Sequence, residues 1–244
     1  ICRADPDGTG AWHPGSDTHV ENAIKSVEDW LHKRSPGTPK HHGLKGKAAS
    51  VFPSGWKAET DTTKLLGDSD ASYFQQQVGV LRWMVELGRI DIETEVSMLA
   101  AFSCAPREGH LAAIFHMFAN LKTHERSKQV MDPTPINHDP HPVYDWQDFY
   151  KCEEVIPPDM PEPRGKPVQT TTYADSDHAG DLISRRSRSG VLAFCNRSPI
   201  ISHSKKQGSI ETSTFGSEFM AMKTAIELVE GLRYKLRMMG CPID

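Results

Sequence analysis

Thr170-Thr171-Thr172-Tyr173-Ala174-Asp175-Ser176-Asp177-His178-Ala179-Gly180-Asp181 begins as a β-rich run and passes into residues that favour turns. A second apolar run, Ser189-Gly190-Val191-Leu192-Ala193-Phe194, leads through Asn196-Arg197-Ser198-Pro199 to Ile200-Ile201-Ser202-His203-Ser204. Two such runs around an Asn-containing turn predict a hairpin. The next element starts near Ser213 or Thr214 and continues to Met239, with Phe219, Met222, Ile226, Val229, Leu232 and Leu236 on one face, and Gly240 ends it. Strand, strand, strand and long helix in this order predict a sheet with a helix packed across one face.

Upstream, residues 125–168 mix acids with Pro133, Pro135, Pro140, Pro142, Pro157, Pro158, Pro161 and Pro163, which predicts an acidic, proline-stiffened linker. Tyr144, Trp146, Phe149 and Tyr150 are expected to clip it to a neighbouring surface. Residues 71–124 carry three helical stripes: Phe74, Val78, Leu81, Val85 and Leu87; Ile92, Val96, Leu99, Ala100 and Phe102; Leu111, Ile114, Phe115, Phe118 and Leu121. Met84, Met98 and Met117 read as core filler and Trp83 as a core or groove residue. Residues 1–70 hold one short helix, capped by Asp17 or Thr18, with Val20, Ala23, Ile24, Val27, Trp30 and Leu31 at helical spacing. His41-His42 lacks a second ligand cluster and reads as a solvated loop. The expected class is α+β, a small helical region followed by a three-stranded sheet with a long helix.

The chain has 244 residues, 37% hydrophobic and 25% charged, with a formal net charge of -4. No apolar run approaches the roughly 20 residues of a membrane span, so no membrane partner is expected. Cys2, Cys104, Cys152, Cys195 and Cys241 are odd in number and form no Cys-x-x-Cys pair, which favours a reduced, intracellular protein of cytoplasm or nucleus. Ile1 is followed by no charged-then-apolar leader, and the chain reads as a piece of something longer.

Two features suggest chemistry. Asp175 at a strand end and Glu218 in the first turn of the long helix could together hold Mg²⁺, which takes hard oxygen ligands from one or two carboxylates plus substrate phosphate. The same residues also suit a turn-forming Asp and a helix N-terminal acid. Arg185, Arg186, Arg188, Arg197, Lys205 and Lys206 lie in a window, Leu182 to Lys206, that contains no acid. That pattern fits a polyanion surface, and equally a solvated edge hairpin.

Tyr173 to Asp181, Arg186-Ser187-Arg188-Ser189-Gly190, Pro199-Ile200-Ile201 through Ser204-Lys205-Lys206-Gln207, Glu211 to Thr214 and Ser217-Glu218-Phe219-Met220-Ala221 resemble the ribonuclease H region of copia-type retrotransposon polyproteins. Tyr73 to Trp83, with Gly88-Arg89-Ile90-Asp91-Ile92 and the helix through Leu121-Lys122, resembles the thumb and connection that close the family's reverse transcriptase. The resemblance covers about residues 70–244. It implies a reverse transcriptase tail over 1–70, a thumb or connection over 71–124, a linker over 125–168 and a truncated ribonuclease H-like domain over 169–244. It further implies Asp175 and Glu218 as catalytic Mg²⁺ ligands, and Arg185, Arg186, Arg188, Lys205 and Lys206 as contacts to an RNA–DNA hybrid or other nucleic acid. The remainder of the polyprotein would be a partner. The parent would synthesise DNA from RNA and cleave RNA in hybrids, whereas this chain, lacking the family's polymerase Asp pair and its later nuclease Asp, is expected to be inactive by itself. Gly216 stands where many relatives have an additional Glu. The competing expectation is a non-enzymatic module that binds nucleic acid or docks within a polyprotein.

Overall fold

The computed structural model describes residues 2–4, 12–14, 16–34, 44, 46–125, 127, 129–137 and 155–243. His41-His42 and the aromatic clip of Tyr144, Trp146, Phe149 and Tyr150 lie outside the described residues.

Two short strands, β1 (Cys2–Ala4) and β2 (Trp12–Pro14), pair antiparallel. Four helices follow: α1 (Asp17–Arg34), α2 (Asp68–Glu86), α3 (Glu93–Ala100) and α4 (Glu108–Thr123). Val20, Ala23, Ile24 and Val27 of α1 join Phe74, Leu81 and Met84 of α2, Leu99 of α3 and Ile114, Met117, Phe118 and Leu121 of α4 in one apolar core. The stripes read from spacing thus meet one another, because a short amphipathic helix is stable only when its apolar face is covered. Trp83, expected in a core or groove, is instead 56% exposed. His110 is fully buried; its Nδ1 accepts the Arg107 N–H at 3.1 Å, so Nε2 is the nitrogen that donates to the Ala58 carbonyl at 2.9 Å.

The second lobe is a three-stranded antiparallel sheet in the order β3 (Thr170–Asp177), β4 (Arg188–Cys195), β5 (Ser198–Lys206), followed by α5 (Thr214–Met238). The β4–β5 turn is tight, and Asn196 takes the left-handed conformation at φ 52° that this residue tolerates. Its amide ties the turn to the predicted linker and to the residue that follows it: Nδ2 donates to the Pro133 carbonyl at 2.8 Å and Oδ1 accepts from Gln169 N–H at 3.0 Å. Ser213 caps α5 by accepting the Gly216 N–H at 3.1 Å, and Gly240 at φ 72° follows its end.

The expected class, α+β, is observed. The orientation of α5 departs from expectation. Ser217, Ala221, Ala225 and Leu232 face the sheet, while Phe219, Met222 and Ile226 remain about half exposed. Small side chains let the helix axis come close to the sheet, and the partners on β4, Ser189, Val191 and Ala193, are themselves small or branched. Hydrophobicity alone selects the larger stripe; fit against β4 selects the smaller one.

Candidate binding surface

Strand alternation distributes the acids of β3. Ser176 Oγ donates to Ser217 Oγ of α5 at 3.0 Å, and Ser189, opposite Ser176 on β4, is joined to α5 through Gln207, whose Nε2 donates to Ser189 Oγ at 3.0 Å and to the Ser217 carbonyl at 2.9 Å. Ser176 therefore faces α5, and its neighbours Asp175 and Asp177 project from the other face. Asp175 is exposed across from Gly190, and Glu218 is exposed as the fifth residue of α5, beyond the first turn where it was expected and which holds no acid. The described residues contain no group of three or more His, Cys, Asp or Glu placed to hold a metal ion.

The loop between β3 and β4 closes on itself. Asp181 Oδ1 accepts the N–H groups of Ile183 at 3.1 Å and Ser184 at 2.7 Å, while its Oδ2 pairs with Lys206 Nζ at 2.8 Å. Burial raises the pKa of this carboxyl, but the hydrogen bonds from Lys206 and Ser184 and the ammonium charge outweigh it and hold the value at about 2. The Asp177 carboxylate lies where a Cβ of residue 180 would stand, so a side chain in place of Gly180 would displace it.

Arg188 is drawn inward. Its Nη1 donates to Ser97 Oγ of α3 at 3.0 Å, and Asp177, Asp181, Glu59 and Glu95 surround it. Burial lowers its pKa against the pull of those four acids. Of the five cations expected to meet nucleic acid, Arg188 and Lys206 are thus engaged inside the protein, and Arg185, Arg186 and Lys205 are exposed. Arg185 has φ 55°, in a backbone held by its N–H to the Asp181 carbonyl at 2.8 Å. Arg185 and Arg186 precede β4 and Lys205 is paired with Ser189 near its start, so the three exposed cations share one end of the sheet, although Arg186 lines a pocket with Lys206 and Lys205 the groove with His203.

The lobes meet where α3 covers the outer edge of β5. Glu93 Oε1 accepts Ser204 N–H at 3.1 Å, its Oε2 accepts Ser202 Oγ, and Ser97 Oγ donates to the Ser204 carbonyl at 2.6 Å. Burial raises the Glu93 pKa above the ordinary carboxylate value, and the Ser204 N–H partly offsets that. Beside this junction runs a groove of about 660 Å³, lined from α2 by Arg82 and Val85, from β5 by Ile201, His203 and Lys205, and from α5 by Leu228. Burial lowers the His203 pKa, and Lys205 and Arg82 lower it further. No local pattern announces this junction, since Glu93 and its partners are about 110 positions apart.

These features define an α+β protein whose two lobes are joined by polar contacts. The chain is similar to the secreted RxLR effector protein 161 of Plasmopara viticola, 38% identical over 160 residues that cover 66% of this chain and 91% of the relative. It belongs to that family. No family model matches, and no solved structure matches. In this chain the steps Leu81-Arg82, Leu232-Arg233 and Leu236-Arg237 follow Gly79, Glu230 and Tyr234 two positions earlier, so the tetrapeptide Arg-x-Leu-Arg does not occur in its 244 residues.

The match corrects the resemblance to copia-type polyproteins, because the relative is named a secreted effector and not a retrotransposon polyprotein. The activities that the resemblance implied, DNA synthesis from RNA and cleavage of RNA in hybrids, are withdrawn with it. The intracellular location inferred from cysteine usage is corrected by the same finding. The structure supplies a physical reason for the false lead. Its motif residues do structural work: Asp181 and Lys206 form an ion pair, Gln207 bridges β4 and α5, and Ser213 caps a helix. Short polar motifs of this kind follow from turn and cap chemistry on many sheets.

Proposed function

We propose that this protein is a secreted effector-type module that acts by binding, and that Arg185, Arg186 and Lys205 form its contact surface for a polyanion, with nucleic acid as the class to test. Membership in the family of a relative named as a secreted effector supports the first part. The observation that carries the second is the division of labour among the cations: Arg188 and Lys206 are bound to Ser97 and Asp181, while the other three remain exposed at one end of the sheet. Phosphate contacts of this type supply affinity without sequence readout and weaken as salt rises.

Fluorescence anisotropy with a labelled 20-base-pair duplex, repeated across a salt series, tests the surface. Three phosphate contacts predict a slope of log K against log salt near -2.7, on the scale of about 0.9 per contact. Replacing Arg185, Arg186 and Lys205 with Ala should abolish most binding, with the fold preserved by circular dichroism. Salt-insensitive binding, or binding unchanged in the triple variant, would reject the surface. Secretion is checked separately by following the tagged native gene product in culture medium and cell pellet; retention in the pellet would reject that part.

A further inference from the structure

α5 presents a second apolar face that nothing among the described residues covers. Phe215 is 77% exposed, Phe219 52%, Met222 48% and Ile226 50%. Their spacing of four, three and four places them in one stripe of the helix, the pattern by which two helices pack side by side. Monomeric proteins seldom leave a contiguous apolar stripe of this size in water.

The stripe lies beside a strand edge on which no further strand pairs among the described residues. β3 is the first strand of the sheet and has β4 as its partner on one side only. Gln169 directs its carbonyl and N–H toward Asn196 at the β4 side, so by alternation Thr170, Thr172, Ala174 and Ser176 direct theirs outward. Val168 already uses its outward N–H, donating to the Pro242 carbonyl at 2.9 Å, and pairs in parallel with Ile243. That bridge stops before Thr170, and the edge beyond it is a template for another strand.

Two contacts fix how α5 lies over β3. Ser217 meets Ser176 at 3.0 Å, and Arg233 Nη1 donates to Thr170 Oγ1 at 3.0 Å. Interpolation between them places Met222 over Ala174. Met222 is also the middle of the apolar stripe that runs from Phe215 toward Val229. A twofold axis normal to the sheet, passing beside Ala174 midway between two facing β3 edges, would therefore pair β3 with β3 of a second copy and at the same time set the two stripes against each other about their common centre. With strands about 4.8 Å apart and α5 lying over β3 and β4, the two helix axes would be roughly 10 Å apart, the distance of packed helices.

We infer that this protein forms a twofold dimer through the β3 edge and the Phe215, Phe219, Met222 and Ile226 stripe of α5, giving one six-stranded sheet with two antiparallel helices on the same face. The occupant is a second copy because the surface is self-complementary. In the register centred on Ala174, Tyr173 stands opposite Asp175 of the second copy and Thr171 opposite its Asp177, so no two acids meet on the edge. Along the helices Phe215 meets Val229 of the second copy, Phe219 meets its Ile226, and no like charges are brought together. The four stripe side chains expose roughly 400 Å² per copy, and with the paired edge the total reaches about 1,200 Å², the lower end of specific interfaces. An interface of that size belongs with weak, reversible associations.

Sedimentation velocity and light scattering between about 1 and 100 µM test this. The wild-type chain should pass from monomer to dimer with rising concentration. Phe219→Glu and Met222→Glu should each weaken the dimer more than about tenfold. Ala174→Pro should do the same by removing an outward N–H and crowding the edge, while leaving the β4 hydrogen bonds intact. Glu227→Gln, on another side of α5, should leave association unchanged. Circular dichroism of each variant separates loss of assembly from loss of fold. A wild-type monomer at 100 µM overturns the inference, as does a dimer indifferent to Phe219→Glu and Ala174→Pro, or one that opens only on Glu227→Gln. A monomer that binds an apolar extended peptide at the β3 edge would give that surface to a different partner and equally reject the self-pairing.

Discussion

The two lobes are held together by opposite means. Around α1 to α4 the fully buried side chains are large: Phe74, Phe118, Leu81, Met84, Ile92, Leu99, Ile114, Met117 and Leu121. Between α5 and the sheet they are Ala193, Ala221 and Ser217, joined by a polar network in which Gln207 links Ser189 to the Ser217 carbonyl. The helical lobe takes its stability from buried apolar area. The sheet lobe buries little such area and depends on close approach and satisfied hydrogen bonds, leaving its largest apolar groups outside. This contrast explains why stripe reading succeeds in one lobe and misorients a helix in the other.

The sharpest way to break the contrast is to excavate the helical core. Phe118→Ala should cost about 3–5 kcal/mol by urea denaturation, since the cavity is lined on all sides. A loss below about 1 kcal/mol would show that this core is not the main source of stability. Next is Ala221→Leu, which forces a larger side chain between α5 and the sheet and should cost about 1–3 kcal/mol. Gain of stability there would mean that the α5 seam has spare room, contrary to its close fit.

Charge gives smaller effects. Asp181→Asn should cost about 1 kcal/mol near neutral pH, allowing for solvent around the pair. The folded pKa of Asp181 lies at about 2, below its ordinary 3.8. Its contribution is therefore complete above 3.8 and fades as pH falls through that range toward 2. Thermal melts of wild type and variant should converge as pH falls through this window; parallel curves would count against the Lys206 pair.

Glu93 should act with the opposite sign and the least amplitude. Its folded pKa is raised by burial, so the folded state holds the proton more tightly, and the stability this adds is lost as pH climbs from the ordinary carboxylate value through the raised one. Glu93→Gln keeps an acceptor for the Ser204 N–H and should flatten that pH dependence, changing stability by less than about 1 kcal/mol at pH 5. Unchanged pH dependence would show that another group carries it.

Much of the fold was legible because local rules act on neighbours in the chain. Val20, Ala23, Ile24 and Val27 repeat at helical spacing, Asn196 marks a hairpin turn, and Ser213 and Gly240 bracket α5. The candidate surface was legible only as a composition of charges. Nothing near Arg188 says that Ser97 of α3 takes up its guanidinium, and nothing near Lys206 separates it from the exposed Lys205, since alternation along β5 sends the two to different surroundings.

By itself the sequence determined the class of the fold, the order of its helices and of β3, β4, β5 and α5, and the Asn196 turn, since these depend on periodicity and on backbone preferences of single residues; it missed the β1–β2 pair, and Asp17 and Thr18, expected to cap α1, lie within that helix. The tertiary structure alone decided which face of α5 meets the sheet, which cations are consumed by Ser97 and Asp181, and that Glu93 covers the β5 edge while no strand among the described residues pairs with the β3 edge beyond the Val168 bridge. Those outcomes depend on shape complementarity and on partners some 25 to 111 positions apart, where the energy of a contact belongs to the pair and is written in neither residue.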